Sequence, residues 1–167
     1  MPLKPGDEVV LLPSGVRSRI AEVRDAAGAA DVVEAPLSVS VRLEDEVDLA
    51  RGELIAAADD APVPARELAA TLCWLGDRPA QPGARYLLKH GTRAVPARLD
   101  AVDGRIDFHS LAWPAADELR LNDIAHVRLR LGGEIAADAY SRCHATGAFI
   151  LIDEATNDTV AAGMVAA

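Results

Sequence analysis

Hydrophobic and polar positions alternate with a period of two through much of this chain. In residues 126–131, HVRLRL, Val127, Leu129 and Leu131 alternate with His126, Arg128 and Arg130, which predicts a half-buried strand with one apolar and one charged face. Residues 38–43 repeat the pattern, with Val39, Val41 and Leu43 inward and Ser38, Ser40 and Arg42 outward. At the start, Pro5-Gly6-Asp7 punctuates, 8–12 run extended, Pro13-Ser14-Gly15 turns the chain, and 17–23 return with Val16, Ser18 and Ile20 opposite Arg17 and Arg19. A Gly/Ala-rich bend at 26–30 leads to a short run at 31–35. Further strands are predicted at 67–75, 85–89, 92–102 and 105–112. Pro96 has no N–H to give a ladder, so its run must present it to an edge or a bulge.

The last long stretch, TGAFILIDEATNDTVAAGMV at 146–165, reads as a closing hairpin. Residues 149–152 are apolar, Thr156-Asn157-Asp158 is a turn cluster, and 159–165 are small or β-branched. Phe149 and Leu151 point one way and Ala148, Ile150 and Ile152 the other, so the first strand is expected to be covered on both faces. Gly163 predicts that a second backbone passes close by, or that the strand bends where a small barrel closes. Asp153, Glu154 and Asp158 beside the turn read as a solvated acidic tip. Many short strands between turn signals predict an all-β class, sandwich or barrel, and brief helical turns at 47–51, 116–119 and 138–141 leave that class unchanged. The stretch DDAPVP at 59–64 is polar and punctuated by proline, which predicts a linker between a first domain at 1–58 and a second at 65–167.

Composition narrows the function. A net charge of −9 disfavours a role in binding polyanions, because neutralising phosphates needs a basic surface. Only Lys4 and Lys89 are lysines, the other basic residues being arginines, a skew that reads as a bias of the coding sequence. Cys73 and Cys143 are too few for a disulfide framework, and no apolar run reaches membrane-spanning length, so a cytoplasmic protein without a membrane anchor is expected.

The search for chemistry is mainly one of exclusion. A phosphate-binding loop needs glycines ahead of a lysine and a hydroxyl residue after it, but Lys4 is followed by Pro5 and Lys89 by His90. The same two contexts exclude the NKxD element that reads guanine. His90, His109, His126, His144, Cys73 and Cys143 match no zinc spacing, and there is no GxSxG elbow. Cys143 and His144 are adjacent, and on an extended chain neighbours point apart. His109 and Asp107 share a strand face without a visible nucleophile. The acidic run Glu44, Asp45, Glu46 and Asp48 lacks calcium-loop spacing and reads as a solvated loop rather than a cation or basic-partner site. The charged face of 126–131 is offered either to an anion such as sulfate or phosphate or, as for any half-buried antiparallel strand, to solvent or a neighbouring domain.

The segments PGDEVVLLPSG, RYLLKHGTR, LNDIAHVRLRL and TGAFILIDEATNDTVAAGM resemble the large, GTP-binding subunit of bacterial sulfate adenylyltransferase, and more broadly the second and third domains of elongation-factor-Tu-like GTPases. The resemblance spans nearly the whole chain and implies two successive antiparallel β-barrels, the first incomplete. In that family a GTPase domain precedes the barrels, and the complex with a small catalytic subunit makes adenylyl sulfate and pyrophosphate from ATP and sulfate. GTP and magnesium belong to the GTPase domain, which has no counterpart here, so the resemblance carries over no catalytic, cofactor-binding or metal residue. It implies a non-catalytic module that docks protein partners, the small catalytic subunit first among them. An incomplete first barrel leaves unpaired edge backbone, so 1–58 is expected to pair edge to edge in a homo-oligomer, borrow a partner's segment, or be the looser half. Two alternatives are an elongation-factor-like barrel pair that binds RNA, which the acidic balance opposes, and an independent small enzyme using the histidines or Cys143.

Overall fold

The structure is a computed structural model and describes residues 2–166. The chain divides between Pro62 and Val63 into two compact units.

The first unit holds β1 (Glu8–Leu12), β2 (Val16–Asp25), β3 (Gly28–Ala30), β4 (Ser40–Leu43) and β5 (Leu54–Ala57). They form one open antiparallel sheet in the order β3-β2-β1-β5, with β4 also pairing β2. The alternation in β4 works as predicted: Val39, Val41 and Leu43 pack on a small core of Val9, Ile20, Val23 and Val33. Two details differ from the expectation. Residues 31–35 form no strand but make one bridge, Leu3↔Val33, and the supposed bend contains β3. Its turn forms because Asp25 Oδ1 accepts the N–H groups of Ala27 (2.7 Å) and Gly28 (3.1 Å), folding the chain back after only two residues.

The second unit is a closed barrel. Its strands are β6 (Pro64–Trp74), β7 (Arg85–His90), β8 (Arg93–Arg105), β9 (Ile124–Ala136), β10 (Ala148–Ile152) and β11 (Thr159–Val165), with the one-turn helix α1 (His144–Gly147) ahead of β10. They close in the order β10-β11-β6-β9-β8-β7. The terminal hairpin makes the closure, because β10 pairs β7 (Leu151↔Leu88) while β11 pairs β6 (Gly163↔Leu72). A closed sheet has no edge to protect.

Side chains fill the interior from alternate positions, Leu72, Leu88, Leu99, Val127, Leu129, Phe149 and Leu151 among them. In β8 the inward phase Val95, Ala97, Leu99 resumes at Val102 because the register with β9 slips between Leu99 and Ala101. This bulge leaves Asp100 and Asp103 on the outer face. Pro96 pairs Leu87 of β7, and on the other side the ladder with β9 ends next door, at Ala97↔Leu131.

Several predicted details shift. Residues 106–112 are a loop, not a strand, and no helix forms at 47–51 or 116–119; among the described residues the one helical turn falls at 144–147 rather than 138–141. In β10 the inward face, Phe149 and Leu151, is buried, whereas Ala148, Ile150 and Ile152 are only half-buried. The neighbour that demands Gly163 is a side chain, the ring of Phe149 directly opposite, and not a second backbone.

Among the described residues seven hydrophobic side chains of the first unit are buried, four of them in one packed cluster, against a cluster of twenty-two in the barrel. With little apolar area to lose on opening, β3 to β5 should exchange their amide protons faster than the barrel strands. Hydrogen-exchange mass spectrometry checks this. Equal protection in the two units would show that the open sheet is held by more than its own core.

Candidate functional site

The chemistry-bearing residues of the sequence do not converge. His90 lies in β7, where its Nε2–H donates to the carbonyl of Thr146 at 2.7 Å. His126 in β9 stacks on Trp113 with ring centroids 3.7 Å apart, and His144 in α1 stacks on Tyr140 at 4.3 Å. His109 meets Asp107 through its backbone N–H, not its ring, at 2.9 Å. Both belong to a loop, since Asp107 also accepts the Ser110 hydroxyl at 2.8 Å; these donors, the His109 N–H foremost, hold its carboxyl below the usual carboxylate range. Cys73 and Cys143 are free thiols. No group of three or more His, Cys, Asp or Glu suited to a metal occurs among the described residues.

Cys143 is the N-cap of α1, with an extended backbone (φ −144°, ψ 111°) from which His144 begins the helical turn. Its thiol is held below its ordinary value by Thr146, side chain first and backbone N–H second, with the N–H of Ala145 adding to them. The Thr146 hydroxyl has one hydrogen, and its 2.6 Å bond to Asp138 Oδ2 claims it. The backbone donors are therefore the ones free to face a thiolate.

The charged face of β9 is neutralised from within the barrel. Arg128 makes a two-pronged contact with Asp103, with bonds of 2.9 and 3.1 Å. Arg130 meets Asp100 at 2.9 Å and Glu67 at 3.2 Å, and Asp100 also takes Arg98 at 2.7 Å. Hydrogen bonds from Arg98 and then Arg130 keep the Asp100 carboxyl low, so these guanidinium groups stay paired at neutral pH. An anion would have to displace carboxylates already in place, which favours the solvent-facing reading of this surface over an anion site.

In the acidic run of the first unit, Asp45 accepts the Ser18 hydroxyl at 2.8 Å beside a shallow groove of about 450 Å³ that also contains Glu8, Arg17, Arg19 and Glu44. Arg19 is paired with Glu8 at 2.7 Å across the β1–β2 ladder.

Two features of the barrel were not anticipated. The connection from β8 to β9 exposes large apolar side chains: Phe108 is 63 % exposed, Leu111 70 %, Trp113 38 % and Leu121 50 %. Its geometry is fixed by backbone bonds, Arg105 N–H to Pro114 O at 3.0 Å and Asp107 N–H to Ala112 O at 2.9 Å, and Leu111 holds a left-handed φ of 56°. Their apolar residue types were the available signal, masked by the strand reading of 105–112. The second feature is a cleft of about 620 Å³ at one end of the barrel, with Trp74 and Tyr86 in its wall. Burial first, and then the charge of Asp153, raise the Tyr86 phenol above its ordinary value. Its parts are separated by some seventy residues of sequence, so no local pattern announces it.

The architecture defines a class: an all-β chain with an open sheet followed by a closed six-stranded antiparallel barrel. No helix of the described residues is long and apolar enough to cross a membrane. The sequence model of the family described as GTP-eEF1A C-terminal domain-like matches residues 67–166. The bifunctional enzyme CysN/CysC of Mycobacterium tuberculosis is 42 % identical over 165 residues, which cover 98 % of this chain and 27 % of that protein. Sulfate adenylyltransferase subunit 1 of Laribacter hongkongensis is 38 % identical over 164 residues, covering 98 % and 34 %. The crystal structure of Sup35 complexed with GMPPNP superposes with a TM-score of 0.88 over 99 % of this chain and 41 % of that one, at 14 % identity, and so shares the fold. The chain belongs to the GTP-eEF1A C-terminal domain-like family, and over nearly its whole length it is homologous to a part of sulfate adenylyltransferase subunit 1. It spans between 27 % and 34 % of the length of these curated relatives.

Proposed function

We propose that the chain is a non-catalytic β-barrel module of a sulfate adenylyltransferase GTPase-subunit-like protein, acting in the cytoplasm as the docking surface for a protein partner, the small catalytic subunit of that enzyme. In this reading the parent complex forms adenylyl sulfate and pyrophosphate from ATP and sulfate, and the barrel contributes attachment rather than chemistry. The observation that carries the proposal is the exposed apolar loop between β8 and β9. Phe108, Leu111 and Trp113 lie within six residues on a loop tied down by its own hydrogen bonds. Aromatic side chains presented on a rigid support are what protein interfaces use as anchors. The domain boundary near 59–64 follows the same reading, with the barrel as the docking half.

The test is binding of the full chain to the purified small subunit by isothermal titration calorimetry. The double variant Phe108→Ala/Leu111→Ala removes two side chains that fill no core, so the fold should stand while affinity falls roughly tenfold or more. No heat of binding at micromolar concentrations, or an unchanged affinity in the variant, would overturn the assignment of this loop.

A further inference from the structure

The cleft at the barrel end lies between the connection that follows β6 and the turn that joins β10 to β11. Its volume, about 620 Å³, is that of a site for a small group or side chain. Three carboxylates, those of Asp77, Asp153 and Asp158, share its walls with one cation, Arg78. Asp153 uses only Oδ1, which accepts the N–H groups of Ala155 at 2.8 Å and Thr156 at 3.2 Å and so shapes the turn. Its Oδ2, and the carboxylates of Asp77 and Asp158, have no partner among the described residues.

A second observation is independent of the acidic wall. Tyr86 lines the same cleft, is only 7 % exposed, and its hydroxyl bonds to no described residue. The ring is covered while the hydroxyl keeps access to the cleft, so a group that fills the cleft must give it a partner in place of water. The ring is held in place edge-on by Trp74, with centroids 5.5 Å apart and planes at 65°. Trp74 in turn fixes the neighbouring connection by donating its indole N–H to the Arg78 carbonyl at 3.0 Å. The cleft is therefore a rigid cavity with an unused hydroxyl in its wall and unused carboxylate oxygens around it.

We propose that this cleft receives a guanidinium group, supplied by an arginine side chain of a protein partner. A guanidinium presents five N–H donors in one plane and accepts nothing, which suits a site made of carboxylate oxygens and a phenol oxygen. Asp153 Oδ2 and the Asp158 carboxylate take the charge, and the Tyr86 oxygen accepts a further N–H. An anion would meet three carboxylates, and an apolar side chain would leave the Tyr86 hydroxyl without a partner. That the guanidinium comes from a protein rests on the docking reading above; the affinity of the cleft for guanidinium does not.

The probe is N-acetylarginine amide, titrated into the full ¹⁵N-labelled chain, with N-acetylcitrulline amide as the uncharged isostere. Saturable shifts centred on the Trp74 indole N–H and on the amides of 76–78 and 156–160 are expected with the arginine compound and not with citrulline. Tyr86→Phe removes the hydroxyl and keeps the ring, and Asp158→Asn removes one exposed charge; each should weaken binding roughly tenfold, the scale of a hydrogen bond to a charged group. Equal shifts from citrulline, arginine shifts that spread unsaturably over the acidic surface, or affinities untouched by both variants would overturn the proposal. If the cleft binds arginine while the chain fails to bind the small subunit, the docking partner falls and the cleft stands. Binding to the small subunit with no arginine response in the cleft would remove the guanidinium site and leave the docking partner standing.

Discussion

Gly163→Ala is expected to destabilise the barrel by about 2 kcal/mol, the middle of the range for forcing atoms into a packed core. For a domain of this size that corresponds to a fall in melting temperature of roughly 8–16 °C. Gly163 stands opposite Phe149 in the closing hairpin, and the Phe149 ring lies flat over the space where a side chain would begin. A Cβ there would overlap Cζ of the ring and fall 2.6 Å from Cε2, inside any van der Waals contact. Gly163 has no left-handed φ, so the demand is one of space alone. The ring cannot swing outward, because Phe149 is buried in the barrel interior. The decisive measurement is a double-mutant cycle by thermal unfolding. Phe149→Leu alone should destabilise by lost packing, but in the Gly163→Ala background it should cost less, since the smaller side chain vacates the contested space. An unchanged melting temperature for Gly163→Ala, or strictly additive effects, would show that the hairpin closes the barrel by other means.

The closure was legible from the sequence because it rests on a property of single strands. Alternation in Val127, Leu129 and Leu131, and the apolar run from Phe149 to Leu151, are set by the two-residue period of the strand and survive into the folded barrel. Two of the details that escaped rest on aspartate. Asp25 folds the chain back tightly enough for 28–30 to return as β3, and Asp107 captures the N–H of His109 and the hydroxyl of Ser110. At Asp107 a short acidic side chain satisfies a backbone donor that a strand would otherwise use, and the turn wins over the local apolar pattern. This is why 106–112, with Ile106 and Phe108 spaced like strand residues, is a loop, and why its apolar side chains reach the surface. The bulge in β8 escaped for another reason, since a phase slip after Leu99 is visible only once Asp100 and Asp103 are seen opposite Arg130 and Arg128. The cleft was beyond local reading altogether, because Tyr86 and Asp153 become neighbours only through the β7–β10 pairing that closes the sheet.

Gly147→Ala should be the more damaging of the two glycine substitutions, at about 3 kcal/mol or above, because the obstacle is main chain, whose displacement carries its neighbours and their hydrogen bonds with it. Its position, at the end of a one-turn helix, suggests a C-cap glycine chosen for backbone freedom, yet its φ is not left-handed. The requirement is spatial. A Cβ on Gly147 would overlap Cα of Tyr140 and lie 2.7 Å from its nitrogen and 3.1 Å from the Ala139 carbonyl carbon. Relief would need the Tyr140 segment to move. That segment is anchored, since the Tyr140 N–H donates to Val165 O at the end of β11 (3.0 Å) and its ring stacks on His144. Displacing it would break a bond to the closing strand and uncouple α1 from the barrel. Gly83→Ala provides the control: φ there is +96° with nothing within 4 Å, so alanine meets only backbone strain, about 1–2 kcal/mol. Urea unfolding of the two variants should therefore rank Gly147→Ala as the greater loss, with the Tyr140 and β11 amides of that variant exchanging faster than in the parent chain. The reverse ranking would mean that the 139–147 segment yields freely, and that α1 is a passenger on the barrel rather than a clamp on its last strand.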